Sequence, residues 1–300
     1  MKNLITCLVV CVLSGVVAAE VHHVPRDLTI TKTLLTPPEV AAFNGVSVEI
    51  NRDELEALPF GSSITIHDFP LGNDYAVNLT LERFDVFTDD AVVVVASMNQ
   101  NGRVDEQHIP KPDVILLRGS VEGDENSRCF LALGKQTTNG IIETDSRTYV
   151  LAKDKSRGWT AVYNLNDVYP EDMNWADFQC SVQETVESIE NKREHQQSNF
   201  GGNCQELQMA VDTDWEFNDS LFGGDEVASS EYAATLLGAV SSIYETDVNI
   251  AIKVVYLRIW VNSSDPWTMG NSVDQLYQFR DYWNANMSGV SRHLAHLLSG

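Results

Sequence analysis

The chain has 300 residues, 43% of them hydrophobic, and a formal net charge of -23 at neutral pH. Such a composition describes an acidic globular protein with room for roughly two domains. It speaks against nucleic acid as a partner, because phosphate binding needs Lys and Arg in excess, and against an anionic membrane surface for the same reason.

Met1-Lys2-Asn3, the apolar run Leu4 to Val17 and the small residues Ala18-Ala19 have the three parts of a secretory signal peptide, with cleavage after Ala19. A membrane anchor would need ~18 or more apolar residues, and neither this run nor any other is long and apolar enough. The expectation is export, to the extracellular side, with no membrane span. Of the five cysteines, Cys7 and Cys11 leave with the signal peptide. Cys129, Cys180 and Cys204 remain, an odd set that requires a free thiol or a partner outside these residues.

From about Val24 to Val168 the chain reads as strand after strand. Leu79, Leu81, Phe84 and Val86 alternate with polar residues, and the step from Leu81 to Phe84 predicts a bulge or turn. Ala91 to Ala96 is a continuous apolar run suited to a buried strand. Val114 to Leu117 and Cys129 to Leu133 add two more, and Thr138-Asn139-Gly140 is a hairpin signal before Ile141-Ile142 and Thr148 to Leu151. No phosphate-cradling glycine loop and no G-x-S-x-G elbow interrupts them. Residues 181–203, rich in Glu, Gln, Ser and Asn, form a polar linker.

The last third changes character. Leu207, Met209 and Val211 alternate in a strand closed by an acidic turn, Trp215 to Asp225. Tyr232, Leu236, Leu237, Val240, Ile243 and Tyr244 then recur at three- and four-residue spacing, predicting a helix with Ser229 or Ser230 as N-cap. Asn249 to Val261 is long and apolar enough for a central strand, stopped by Asn262 to Pro266. A second helix follows over Val273 to Asn286 with Leu276, Phe279, Tyr282 and Trp283 inward, and His293 to Gly300 opens a further strand that still runs at Gly300. Strand, helix, strand, helix, strand at this spacing predicts parallel strands with helical crossovers. A sheet edge and two helix faces are left without cover by these residues.

The opening Glu206-Leu207 to Val211-Asp212, the helix carrying Leu276, Phe279 and Trp283, and Ala295-His296-Leu297-Leu298-Ser299-Gly300 resemble the N-terminal half of a reprolysin (adamalysin-like) peptidase of the metzincin group. The strands around Arg118 to Gly123, Phe130 to Leu133, Gly140 to Glu143 and Tyr149 to Leu151 resemble the prodomain of such enzymes. The resemblance implies an α+β protein: signal peptide 1–19, β-rich propeptide-like domain 20–180, linker 181–203, and the N-terminal part of an α/β metallopeptidase domain, truncated, at 204–300. It implies a secreted zinc endopeptidase precursor acting on protein or peptide substrates, with the prodomain as intramolecular inhibitor. Its zinc ligands and general base would stand on an H-E-x-x-H-x-x-G-x-x-H helix. None of the seven histidines falls in an H-E-x-x-H frame, so zinc is expected to be bound beyond residue 300 and no catalytic residue is assigned within it. The alternative is a secreted, non-catalytic binding or scaffolding protein with a peptidase-like remnant.

Individual residues carry narrower expectations. Cys180 is a candidate cysteine switch, with a disulfide to Cys204 or to a cysteine outside these residues as its rival. Lys192-Arg193 is a candidate processing site or a solvated charge pair. Glu206 matches a structural calcium ligand implied by the resemblance, although the partner acid expected near residue 293 is His293 here. His293 and His296, three apart on a strand, face opposite ways and cannot clasp one metal together. Asp212, Asp214, Glu216 and Asp219 resemble the start of a calcium loop, but Phe217 and Gly223 stand where an EF-hand needs Gly and Glu, which leaves a solvated acidic loop. Sequons begin at Asn78, Asn218, Asn262 and Asn286.

Overall fold

The computed structural model describes residues 21–24, 30–154, 157–168 and 204–300. In chain order these form β1 (Val21–Val24), β2 (Ile30–Lys32), α1 (Pro38–Ala41), β3 (Val46–Ile50), α2 (Asp53–Glu56), β4 (Ser63–Pro70), β5 (Ala76–Phe84), β6 (Phe87–Met98) and β7 (Val104–Ile109). There follow β8 (Val114–Val121), β9 (Arg128–Gly134), β10 (Thr138–Glu143), β11 (Thr148–Lys153) and β12 (Thr160–Asn164). Beyond residue 203 stand β13 (Gln205–Thr213), α3 (Trp215–Phe222), α4 (Glu226–Val248), β14 (Ile250–Trp260), α5 (Ser272–Asn286) and β15 (Leu294–Leu298). The fold is mixed α+β, with a large, mainly antiparallel sheet and helices.

The large sheet has ten strands in the order β1-β4-β5-β8-β9-β10-β11-β12-β3-β2, and only β1 and β4 run parallel. β5 pairs directly with β8, so the chain leaves this sheet after Phe84 and returns at Val114. The excursion is β6 and β7, which join the second sheet, ordered β15-β13-β14-β6-β7. Its first four strands are mutually parallel and β7 closes the edge antiparallel.

Burial on both faces explains the irregular spacing in β5. Leu79 and Leu81 enter the core of the large sheet, whereas Phe84 points the other way into a core shared with the second sheet. The β5–β8 register runs unbroken to Phe84, so the expected bulge is absent from this pair. A turn does follow, with the Phe87 N–H donating to Asp85 Oδ1 at 2.9 Å. The bulge lies in β4 between Ile66 and Phe69, where Asp68 holds a positive φ of 50°.

Asn139-Gly140 does not form the predicted hairpin turn either. Both residues sit inside β10, and a Cβ on Gly140 would come 2.6 Å from the Leu131 side chain, so the glycine serves strand-on-strand packing. The turn instead spans Lys135 to Thr137 and is held by a carboxylate from α4.

β13, α4, β14, α5 and β15 follow in the predicted order, with β13 between β14 and β15. The acidic segment after β13 is helical, however. Asp214 caps α3 by accepting from the Phe217 N–H at 2.7 Å, and Gly223 ends it at φ 62°. α4 starts at Glu226, capped by Asp225 rather than by Ser229 or Ser230.

The buried side of α4 also differs from its apolar spacing. Leu237 is buried as predicted and Tyr232, Leu236 and Val240 pack against the core, but Ala228, Ser229, Ser230, Glu231, Ala233, Ala234, Gly238 and Ser241 are buried too, while Ile243 and Tyr244 are exposed. The helix lies between both sheets, and small residues let the layers approach. A Cβ on Gly238 would stand 2.9 Å from Leu116 of β8. α4 is therefore buried on both sides between residues 228 and 241, whereas on α5 Leu276 is 62% exposed although Phe279 and Trp283 are buried. β15 ends at Leu298, and the Gly300 N–H donates to Asp214 Oδ1 at 3.1 Å, so Gly300 lies past the strand rather than within it.

Candidate functional site: a buried carboxylate–guanidinium cluster

Asp212 and Arg258 stand opposite each other in the parallel β13–β14 register, on the face covered by α5. Their side chains are 0% and 1% exposed. A charge carried to that depth needs a partner and a full set of hydrogen bonds. Asp212 Oδ1 accepts from Arg258 Nε at 3.0 Å and Trp260 Nε1 at 3.1 Å. Oδ2 accepts from Trp283 Nε1 at 2.9 Å and from the second Arg258 nitrogen. Burial alone pushes the Asp212 carboxyl upward, opposed by Arg258 and both indoles. Four donors converging on two oxygens leave no acceptor for a carboxyl proton, so the ionised form is the one this geometry holds. Burial also works against the Arg258 charge, but the adjoining carboxylate outweighs it and its pKa rises.

The remaining Arg258 nitrogen reaches the N-terminal segment. Nη1 donates to Glu106 Oε1 of β7 at 3.3 Å, and the Tyr256 hydroxyl donates to the same oxygen at 2.9 Å. Trp260 and Tyr282 place their rings 5.1 and 5.3 Å from the guanidinium carbon. Both Asp212 oxygens and all three Arg258 nitrogens are thus engaged, near the carboxyl ends of β13 and β14.

Those ends carry a second polar layer. The Trp260 N–H donates to Thr213 Oγ1 at 3.1 Å, and Trp267 Nε1 donates to the Thr213 carbonyl at 2.7 Å. Asp265 accepts from the Trp215 and Trp267 N–H groups at 2.6 and 3.0 Å. Burial pushes its carboxyl up to about 6, helped by Glu216 and Asp214 and opposed by the two backbone bonds. Asp212 and Asp214 thus belong to an ion pair and a helix cap, which corrects their reading as a solvated acidic loop.

A third carboxylate, Glu231 of α4, is 1% exposed and lies against the turn between β9 and β10. It accepts from the N–H groups of Lys135, Gln136 and Thr137 at 3.1, 2.9 and 2.8 Å. The Thr137 hydroxyl adds a fourth bond at 3.1 Å. A cleft of about 360 Å³ opens farther along the same helix, between α4 and the β5, β8, β9 and β10 strands. Its cations are paired: Arg118 with Glu245 and Glu82, and Arg128 with Asp247 at 2.7 Å. Cys129, on the adjoining strand, packs into the core of the large sheet, and its burial raises the thiol pKa and makes it a poor nucleophile or metal ligand.

Among the described residues no group of three His, Cys, Asp or Glu side chains is placed to hold a metal ion. Glu206 is exposed at the start of β13. His293 Nδ1 accepts from the Gln208 N–H at 2.9 Å, which commits that nitrogen to the sheet, and His296 is exposed on β15. These residues do not fit a zinc site. Cys204 is exposed and unbridged among the described residues. Ala19, Cys180, Lys192 and Arg193 lie outside the described residues. Of the sequon asparagines, Asn218 is buried with its Oδ1 bound by Ser229, whereas Asn286 is exposed at the end of α5.

Arg258, Glu106 and Glu231 were not singled out by sequence reasoning. One signal was available: Arg258 stands between Leu257 and Ile259 at the apolar end of its strand, where a cation demands an anion on a neighbouring strand, and Asp212 lies near the end of the strand before it. Glu106 and Glu231 had no such signal, because both partners are remote in sequence.

No family model and no curated protein sequence matches the chain. A solved structure, the crystal structure of metalloproteinase-II from Bacteroides fragilis, is matched at 10% identity and a TM-score of 0.34, over 78% of this chain. The match covers 64% of that protein, so the chain spans less than two thirds of its length. No helix among the described residues is long and apolar enough to cross a membrane.

Proposed function

We propose that the chain is the front part of a precursor of a secreted zinc endopeptidase, in which residues 204–300 frame a peptidase unit and residues 20–180 act as its propeptide. The observation that supports this reading is the parallel unit β13–α4–β14–α5–β15, whose order of strands and helices is the one shared with the reprolysin-like resemblance of Glu206 to Asp212 and Ala295 to Gly300. On this reading the zinc ligands belong to sequence outside the 300 residues, and the buried Asp212–Arg258 cluster only positions strand ends. Cleavage at Lys192-Arg193, a thiol switch at Cys180 and calcium at Glu206 belong to the same proposal.

The test is to read the coding frame past codon 300 and express its full product. Zinc content near one per chain, and peptide hydrolysis that rises after cleavage between residues 181 and 203, are expected. A frame without H-E-x-x-H, or a product without zinc, overturns the reading. The second reading, a secreted binding protein, draws on the exposed apolar side of α5, where Val273, Leu276 and Tyr277 are 53%, 62% and 51% exposed.

A further inference from the structure

The β6–β7 hairpin belongs to the N-terminal segment by sequence and to the second sheet by hydrogen bonding. β6 runs parallel to β14 from the Val254–Phe87 pair to the Trp260–Ala96 pair. Val93 and Val95 enter the core formed with Leu257, Ile259 and α4, while Val94 packs with Tyr256 on the opposite face. Glu106 of β7 then completes the hydrogen bonding of Arg258 and Tyr256. Lys253 Nζ donates to the Asp85 carbonyl at 2.6 Å where the hairpin begins. A separate contact, Glu231 with the Lys135 to Thr137 turn, ties α4 to the large sheet.

We propose that the outer edge of β14 is a docking surface whose occupant is the β6–β7 hairpin, and that it holds when the chain is cut between residues 181 and 203. The N-terminal segment then remains as a non-covalent subunit of the C-terminal unit. Withdrawing the hairpin would turn a central apolar strand into a bare sheet edge. It would also deprive the buried Arg258 of Glu106, and drawing the rest of the segment away would leave Glu231 without its four donors. No tether across residues 181–203 is needed for any of these contacts. The inference goes beyond the peptidase reading and holds whether or not the protein hydrolyses peptides.

The experiment uses the full chain with one site-specific protease sequence placed within residues 181–203. After complete cutting, size-exclusion chromatography with light scattering is expected to show one particle of the uncut mass, which gives two bands under denaturing conditions. Hydrogen exchange in β14 should match that of the uncut protein. Two separate particles, or β14 amides exchanging like those of an edge strand, would overturn the proposal. Glu106→Arg, shown by circular dichroism to fold while uncut, places a cation against Arg258 and should speed separation of the cut chains ~10-fold or more. Should that variant not fold, Glu106→Gln takes its place with a rise of about threefold. An unchanged rate would remove the hairpin as the holding element.

Discussion

Among the described residues the ten-stranded sheet packs Ile64, Leu79, Leu117, Leu131 and Leu151 into a core that holds no fully buried charged residue, whereas Asp212, Asp214, Glu231, Arg258 and Asp265 are all buried in residues 204–300. In the first region each apolar side chain contributes about 1.5–3 kcal/mol by leaving water, and neighbours share the work. In the second, an apolar sheet is threaded by carboxylates whose donors come from other elements. Such groups add little net stability while paired, but are expensive to strand. The first region should therefore respond to substitution by degrees and the second by loss of a partner.

Asp212→Ala gives the largest effect expected. It strands Arg258 at full burial and should cost about 3–5 kcal/mol by urea unfolding, against about 3 kcal/mol for the cavity left by Leu131→Ala. A loss below about 1 kcal/mol for Asp212→Ala would break the comparison, since it would mean the cluster relaxes to water.

Glu231→Ala should cost about 2 kcal/mol, because three backbone N–H groups and a hydroxyl lose their acceptor. Proteolysis at the Lys135 to Thr137 turn would rise with it. A variant as resistant as the parent protein would show that the turn holds its shape without α4.

Asp265 sharpens the contrast through pH. Its folded pKa is raised to about 6 from an ordinary 3.8, so the folded chain holds a proton that the unfolded chain has released between those values. This contribution is fully present below the unfolded pKa and is lost as pH rises through 6. The stability gap between the parent protein and Asp265→Asn should be about 1 kcal/mol wider at pH 4 than at pH 7, after allowance for solvent screening. A gap that widens toward pH 7 would show that the carboxylate form is the favoured one.

Leu276→Ser is the smallest change, within about 0.5 kcal/mol, since the side chain is exposed on α5. A larger loss would place that face against another part of the molecule.

Hydrophobic period recovered most elements because a strand or helix with one dominant buried face writes that face into its spacing. It failed where two faces are buried. β5 serves two cores, which made Leu81 to Phe84 look irregular, and α4 adds buried Ala, Ser and Gly to its predicted Leu237 side because it lies against two sheets, which hid the width of its buried surface. Asn139-Gly140 misled because glycine fits a tight turn and a close strand contact equally well, and only Leu131 across the ladder distinguishes them.

By itself the sequence determined the run of strands before residue 168, the helical crossovers after residue 204 and the acidic composition, since each rests on local composition or on a repeat along the chain. Tertiary structure alone decided that Ala91 to Ala96 pairs with β14, that Arg258 finds Asp212 and Glu106, and that Glu231 closes a turn almost a hundred residues away. A buried charge or a sheet edge states what it lacks, but the partner that satisfies it is set by where the whole chain brings another charge or strand.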